Sequence, residues 1–536
     1  MSTFLSPLGT PSSPSSHKTL QVLITSANSA GFLLFGYDQG IMSGVVLSQS
    51  WLSQMGHPSE LTIGTITALY DVGAVIGALL SAFTSDRLGR KRTLLLGSFL
   101  VLLGGALMSA SFSRVEFMAS RVIVGIGTGY ITSVTPVYQA EIGEHEQRGW
   151  QVCCQLTTML GGLLMAYCIN YGFWFVDGEV QWRAPLGFQC VFAVFILVLG
   201  PWLVDTPRWL FRQDFGGGEG IETTRGLEVL ARLRGKEADD REVKKEMKDI
   251  VDAIRLEKGQ EGTWGSLFRS NGVQADKRFY LAVGIQLMQQ LSGINIVTYF
   301  APTLYTTSLG MSQDRALLLG CFTQLWYVLA SFVTWYTIDR VGRRRLFISM
   351  ALGMSLVLVG EAVAIAHGGM LGDVAAVVCL FLFEACFTWG WMACVWIYPP
   401  EILPLGIRAK GSALAAAADF IGNWIVVQVT PVGIAKMGWS FFLIWAGFNL
   451  VHAGIVWIFY PETGGLVLEA VDHVFTEDVA GIGHGTGLER LQWVRVRVAA
   501  RAVKESRLRK REEDESRQGL LDDDSDTDDE GITASA

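Results

Sequence analysis

The chain has 536 residues, of which 50% are hydrophobic and only 17% are charged. A water-soluble protein carries about a quarter charged residues, so this composition excludes a soluble globular protein. The net charge of −8 reflects an acidic run at 522–530 and does not indicate a nucleic-acid partner.

Twelve apolar segments follow one another along the chain, each close to the 20 residues that cross a ~30 Å hydrocarbon layer. The first six lie at about 20–48, 61–84, 93–112, 115–137, 150–172 and 185–204. The second six lie at about 279–305, 316–338, 346–367, 373–398, 411–435 and 439–460. They lack the alternation of barrel strands, so we predict an all-α membrane protein with twelve transmembrane helices.

The sequence predicts two six-helix halves joined by a linker. The predicted segments are a disordered cytosolic N-terminus at 1–19, a first half at 20–204, a linker at 205–278, a second half at 279–460 and a tail at 461–536 whose acidic end is mostly disordered. Lys and Arg crowd the turns after the second and eighth spans, so both termini are expected in the cytosol. Apolar residues at helical spacing predict amphipathic helices in the linker.

An internal repeat supports this division. Three unlike motifs recur at nearly the same spacing along the chain: an Asp-Arg-x-Gly-Arg turn, a Glu followed seven residues later by Arg, and an acid followed by Thr. Their first copies begin at Asp86, Glu141 and Asp205. Two halves related in this way usually hold their substrate between them near the membrane midplane.

Ionisable side chains inside the predicted spans are functional candidates, because each costs about 2.5–3.5 kcal/mol near a helix centre. Asp38 in the first span and Arg121 in the fourth lie at comparable depth in the outer leaflet, so we predict that they pair. Proximity to Arg121 favours an ionised Asp38, and separation in a buried site favours the protonated acid. Alternation of Asp38 between these two states would couple transport to protons. The alternative is that the pair has a purely structural role. Asp71, Glu361 and Glu384 have no assigned role.

All eight cysteines lie within apolar segments and none has metal-ligand or disulfide spacing. They are interpreted as core residues. The sequence shows no metal or nucleophile constellation, so we predict neither a metal nor a cofactor, and not an enzyme.

The motifs together resemble the sugar porter branch of the major facilitator superfamily, from about residue 20 to 475. The matching motifs are Phe35-Gly-Tyr-Asp38, the repeated Asp-Arg-x-Gly-Arg turns, Arg121 with the glycines up to Gly129, Pro136-Val-Tyr138, Thr206-Pro-Arg-Trp209, Gln289-Gln290-Leu-Ser-Gly-Ile-Asn295 and Pro461-Glu-Thr-Gly464. Details such as Trp396-Ile-Tyr-Pro-Pro-Glu401 resemble fungal proton-linked sugar and polyol carriers. The glycines fit close helix packing better than a dinucleotide-binding loop, because they follow no strand.

The resemblance implies a sugar site centred on the seventh span. The implied or candidate binding residues are Gln289, Gln290, Asn295, Tyr299, Trp396, Asp419, Phe35, Gln155 and Asn423. Amides offer the paired donors and acceptors that vicinal hydroxyls require. Two positions depart from the family pattern: Leu156 stands where a glutamine is usual, with Gln155 before it, and Asp419 replaces an amide. A carboxylate repels anions, so a neutral substrate is favoured over a sugar acid.

The resemblance also implies a cytoplasmic latch made of ion pairs. Its expected members are Asp86, Arg90, Glu141 and Arg148 in the first half, and Asp339, Arg343, Glu401 and Arg408 in the second. Breaking and remaking these pairs would gate the rocking of the two halves.

The predicted function is therefore symport of a proton with a neutral sugar or polyol by alternating access. Two alternatives stay open: a facilitator without coupling, and a transporter-like nutrient sensor that signals through its tail. The expected partners are the substrate, protons and the lipid bilayer, with a monomer as the working unit. The family expectation is a plasma-membrane location.

Overall fold

The computed structural model describes residues 14–143, 148–214, 221–260, 264–269, 274–464 and Phe475. The first helix begins at Pro14, earlier than the predicted boundary at 20. The predictions for the first 13 residues and for most of the tail beyond 464 lie outside the described residues.

Each predicted span of the first half is helical over most of its length. Its helices are α1 (Pro14–Val45), α2 (Gln49–Gln54), α3 (Glu60–Leu88), α4 (Arg90–Ser109), α5 (Arg114–Ile142), α6 (Arg148–Trp174) and α7 (Val180–Leu199). The short α2 lies in the loop between the first two spans. Ser48 caps it through its side-chain oxygen, as expected of a helix N-terminus.

The linker and the second half follow the same pattern. The linker helices are α8 (Pro207–Asp214), α9 (Ile221–Arg234) and α10 (Arg241–Gln260), with a 3₁₀ turn at Trp264–Leu267. The second half contains α11 (Ala275–Gln290), α12 (Ile294–Leu309), α13 (Gln313–Val341), α14 (Arg343–His367), α15 (Gly369–Phe387), α16 (Cys394–Ile402), α17 (Arg408–Met437) and α18 (Ser440–Phe459). A π-helical turn at Thr388–Met392 joins α15 to α16.

The seventh predicted span is not one continuous helix. Within the described residues, 11 helical segments are long and apolar enough to cross a membrane. The remaining crossing is made by α11 and α12 in succession, each of 16 residues. With this pair the number of crossings is twelve, as predicted.

The glycines that follow Arg121 bring three helices into backbone contact. A Cβ atom added at Gly125 would lie 2.1 Å from the Tyr70 carbonyl oxygen on α3, and one at Gly127 would lie 2.6 Å from the Gly97 carbonyl oxygen on α4. Such close approach is the use of small residues in membrane helices. The close-packing interpretation of this motif is confirmed, and the packing fixes α5 beside α3.

The linker helices pack beneath the bundle. Leu230, Ala231 and Val243 form a small apolar cluster, against which Leu227 and Met247 pack, so the predicted amphipathic faces meet. Further along, the ring centroids of Trp264 and Phe83 on α3 lie 5.6 Å apart. The Lys410 ammonium of α17 lies 5.8 Å from the centroid of the Trp264 ring. The linker thus contacts both halves at the same end of the bundle.

The Gly125 contact can be tested by adding one methyl group. We expect Gly125→Ala to lower the thermal midpoint of the detergent-solubilised protein, because overpacking of a tight interior costs about 1–3 kcal/mol. The matched control is Gly447→Ala on α18, where a Cβ atom meets nothing within 4 Å. Equal midpoints for the two variants would contradict this account of the packing.

Candidate functional site

The break between α11 and α12 places a polar patch at the centre of the molecule. Gly293 adopts a φ of +91°, a left-handed conformation that glycine accepts without strain. Gln289 and Gln290 end α11, and Asn295 lies in the first turn of α12. A discontinuous helix of this kind is typical of transporter binding sites.

The amide side chains of this patch bind one another and Asp419. Gln290 Nε2 donates to Asp419 Oδ1 at 2.6 Å, and Asn295 Nδ2 donates to Gln290 Oε1. The Gln289 Oε1 atom is buried without a partner among the described residues. A buried acceptor without a partner is costly, so the patch is suited to receive a hydroxyl group.

A second chain of hydrogen bonds crosses between the halves. Asn423 Nδ2 on α17 donates to Asp71 Oδ1 on α3 at 2.8 Å. The same amide group lies 3.2 Å from the Tyr299 hydroxyl on α12. Asp71 had no partner assigned from sequence, since no spacing rule relates α3 to α17. The structure therefore adds Asp71 to the predicted residues of this centre.

Asp38 and Arg121 both lie at 0% exposure beside these residues. Asp38 Oδ2 accepts from Thr128 Oγ1 at 3.2 Å, and Arg121 Nη2 donates to the Thr67 carbonyl oxygen at 2.9 Å. The guanidinium lies over the Tyr70 ring at 5.0 Å. The close packing of α5 against α3 holds these side chains in place.

Arg121 acts electrostatically on two carboxylates without contacting either. It interacts with Asp38 and with Asp71 through the buried interior. None of the described carboxylate oxygens comes within the 4.0 Å of an ion pair with it. Its Nε and Nη1 atoms have no hydrogen-bond partner within the described part of the chain. The direct pair of Asp38 and Arg121 predicted from the sequence is therefore not formed among the described contacts. The two groups interact at longer range, and Asp71 is a third ionisable group in the same region.

The predicted aromatic residues occupy different positions. The Phe35 ring on α1 meets that of Phe420 on α17 edge-on, at 6.2 Å between centroids, and so joins the halves. Trp396 is half-buried on α16, just after the π-helical turn, and packs against the core of the second half. Gln155 is half-buried, whereas its neighbour Leu156 is buried.

Contacts between the halves lie on both sides of the polar centre. On the side away from the linker, Gln428 Nε2 on α17 donates to Thr65 Oγ1 on α3 at 3.0 Å. On the linker side, the hydroxyls of Thr157 on α6 and Ser331 on α13 lie 3.0 Å apart, and Trp335 Nε1 donates to Thr157. The side chains between these contacts are buried, so this conformation is occluded.

The two repeated Asp-Arg-x-Gly-Arg turns form matching ion pairs, each within its own half. Arg90 binds Glu141 at 2.9 Å and Asp86 at 3.1 Å. Arg343 binds Glu401 at 3.1 Å. The repeat detected in the sequence is thus also a repeat of contacts.

For three other predicted latch residues, the described contacts include no ion pair with the expected partner. Arg408 Nε donates to the Leu403 carbonyl oxygen at 3.1 Å. The side chains of Arg148 and Asp339 lie outside the described part of the chain, so the contacts predicted for them stay predictions.

The third repeated motif supplies caps for the helices that follow each turn. Asp205 Oδ1 accepts from the Lys91 N–H at 2.9 Å. Glu462 accepts from the N–H groups of Arg343 and Arg344 at 2.9 and 3.1 Å. A carboxylate at a helix N-terminus is favoured by its free N–H groups and its dipole. Burial raises the pKa of Asp205, and the Lys91 N–H opposes that rise.

The threonines of the same motif complete both networks. Thr206 Oγ1 donates to Glu141, and Thr463 Oγ1 donates to Glu401 at 2.7 Å. Sequence analysis recognised these pairs only as markers of the repeat. Each threonine directly follows a capping acid in the sequence, and this position could have indicated its structural role.

Two buried acids remain outside these networks. The carboxyl oxygens of Glu361 and Glu384 have no hydrogen-bond partner within the described residues. Both side chains are at 0% exposure, and both act electrostatically on the Tyr305 hydroxyl. They form a separate polar region inside the second half.

Comparison with known proteins finds similarity over most of the chain. A family model described as "Sugar (and other) transporter" matches residues 23–475. The MFS-type transporter oryC of Aspergillus oryzae is 34% identical over 467 residues, which cover 85% of this chain and 86% of that protein. The sugar transporter STL1 of Saccharomyces cerevisiae is 30% identical over 473 residues, covering 86% and 82%.

Solved structures of the xylose transporter XylE are also similar to this chain over most of its length. The inward-open conformation of the xylose transporter XylE from E. coli matches with a TM-score of 0.68 at 25% identity, covering 85% of this chain and 100% of that one. A structure of XylE described as a proton:xylose symporter, bound to 6-bromo-6-deoxy-D-glucose, matches with a TM-score of 0.70 at 25% identity, covering 86% and 100%.

The caps can be tested by removing an acceptor. We expect Glu462→Ala to destabilise the protein by about 0.5–2 kcal/mol, the usual cost of losing an N-cap acceptor, because two helix N–H groups lose their partner. Thermal unfolding in detergent measures the change. Glu462→Gln keeps an acceptor oxygen and serves as the control. A midpoint as low for Glu462→Gln as for Glu462→Ala would show that capping is not the cause.

Proposed function

The chain belongs to the sugar porter branch of the major facilitator superfamily, and from that membership we propose that it carries a neutral sugar or polyol together with a proton. It is a multi-pass membrane transporter and not an enzyme. The proposed mechanism is alternating access, in which the two halves rock about the occluded centre. The observation that supports coupling most directly is the buried set of Asp38, Arg121 and Asp71 beside the amide patch.

The proposed proton site is Asp38. In an apolar interior its charge is stable only near a cation, and Arg121 is the cation that acts on it. When Arg121 turns away, the protonated acid is the stable form. Opening of the site to one side or the other would then decide where the proton is taken up and released.

The proposed substrate site is the amide patch around the helix break. Gln289, Gln290 and Asn295 offer donors and acceptors; in the occluded state Asn295 donates to Gln290 and Gln290 donates to Asp419. A sugar would replace these internal bonds with bonds to its hydroxyls. Tyr299 and Trp396 are the proposed aromatic contacts for the ring of the sugar.

The proposed setting follows from the charge distribution. The cationic turns that contain Arg90 and Arg343 lie on one side of the bundle with the linker, which favours a cytosolic position for both termini. A plasma-membrane location and a monomeric working unit complete the proposal. The ion pairs within each half are the proposed parts of the cytoplasmic gate.

The decisive experiment is uptake into proteoliposomes that contain the purified protein. Labelled D-glucose, D-xylose and D-sorbitol are offered with and without an inward proton gradient. A symporter concentrates one of these probes and loses the accumulation when an uncoupler is added. Equilibration alone would identify a facilitator, and no uptake would favour a sensor.

The proton site predicts a specific defect. We expect Asp38→Asn to abolish uphill accumulation while leaving exchange of labelled for unlabelled substrate, because the amide cannot carry the proton but can fill the site. Both rates are measured in the same vesicles. The exposed Asp177→Asn is the matched control. Full accumulation by Asp38→Asn would exclude this residue as the proton carrier.

The substrate site predicts a loss of affinity. We expect Gln289→Ala to raise the KM for the accumulated probe about tenfold, since one lost hydrogen bond of roughly 1.4 kcal/mol has that effect. Initial uptake rates over a range of concentrations give the KM. Gln54 is partly exposed and lies on the loop helix α2, outside the amide patch. Gln54→Ala is the control and should retain the wild-type value. An unchanged KM for Gln289→Ala would remove this residue from the binding set.

A further inference from the structure

Asp71 is a fully buried carboxylate to which the proposed mechanism gives no task. It lies on α3 at 0% exposure. Its Oδ1 atom is bound to Asn423 of the opposite half, and its Oδ2 atom has no partner among the described residues. A carboxylate in this position must either be protonated or be compensated by a cation.

The cation that acts on Asp71 is Arg121, which also acts on Asp38. The guanidinium has two nitrogens, Nε and Nη1, without hydrogen-bond partners in the described chain. One cation in an apolar interior cannot stabilise two ionised carboxylates equally well, so the two acids compete for it.

Among the described residues around Asp71, no other group supplies a second positive charge. Asp419 on α17 is a further acid that acts on it, and Tyr70 and Tyr299 carry neutral hydroxyls nearby. Asn423 is neutral and donates a hydrogen bond whether or not Asp71 is ionised. Arg121 is therefore the one cation shown to act on this carboxylate.

We propose that Asp71 is a second coupling residue, which competes with Asp38 for Arg121 and passes the outcome to the opposite half through Asn423. This inference rests on the proposed proton coupling. One proton passes over the two carboxylates in each transport cycle. It enters from one side onto Asp38, while Arg121 stabilises ionised Asp71, and it leaves to the other side from Asp71, while Arg121 stabilises ionised Asp38.

The hydrogen bond from Asn423 links the charge of Asp71 to the strength of the contact between the two halves. An amide donor binds an ionised carboxylate about twice as strongly as a neutral acid. Protonation of Asp38 thus tightens the contact between α3 and α17, directly beside Tyr299 of the substrate patch. Loss of that proton weakens the same contact and lets the halves part.

The competition has a signature in the pH dependence of uptake. In the wild type, Asp71 draws Arg121 away and lets Asp38 keep its proton to higher pH. In Asp71→Asn the Arg121 guanidinium acts on Asp38 alone, which favours the ionised form of Asp38. We expect the pH of half-maximal uptake to fall by about one unit, and accumulation at neutral pH to fall about tenfold.

The assay uses the full-length protein in proteoliposomes and the labelled sugar that the wild type accumulates most. Asp71→Asn keeps an oxygen that accepts from Asn423, so a purely structural role predicts unchanged accumulation. We expect exchange between labelled and unlabelled sugar to continue in Asp71→Asn and to fall much less than accumulation does. Asp71→Glu keeps the charge and should keep the wild-type pH profile. The exposed Asp177→Asn is the control.

Two results would overturn the inference: wild-type accumulation by Asp71→Asn, or an equal loss of exchange and accumulation. A shifted pH profile for Asp71→Glu would also overturn it. If Asp71→Asn does not reach the membrane, Asp71→Ser replaces it as the neutral variant. Normal accumulation by Asp38→Asn would instead refute the proposed coupling itself, so the two failures are distinguishable.

Discussion

The arrangement of the centre depends on one constraint, the cost of placing charge in an apolar interior. Arg121 is fully buried, and a buried cation is tolerated only with compensating groups around it. The Thr67 carbonyl oxygen and the Tyr70 ring give part of that compensation. The acids Asp38 and Asp71 supply the rest at longer range. Helices α1, α3 and α5 are held together by this requirement.

Glycine makes that arrangement geometrically possible. The approach of α5 to α3 at Gly125 leaves no room for a side chain, and it brings Arg121 and the α3 acid Asp71 into the same small region. A bulkier residue at this position would separate the charges as well as the helices. Packing and electrostatics are therefore two consequences of the same motif.

The sequence was sufficient for the twelve crossings, the repeat and most members of the centre, because hydrophobic length, charge and motif spacing are properties of the chain itself. It could not show the break after Gln290, since Ser and Gly there are compatible with a continuous membrane helix. It also missed the partner of Asp71, which lies on α17 and depends on how the halves meet. The capping by Glu462 required the three-dimensional position of the preceding turn.

The ion pairs and caps at the turns on the linker side close within each half, whereas the described contacts between the halves are hydrogen bonds, helix packing and one aromatic contact between Phe35 and Phe420. Each half can therefore retain its internal network while the other moves. Opening the interface still has to separate α3 from α17, where a Cβ atom on Gly64 would lie 2.5 Å from the Gln428 carbonyl oxygen. Motion between the halves would thus work mainly against helix packing and leave the ion pairs intact.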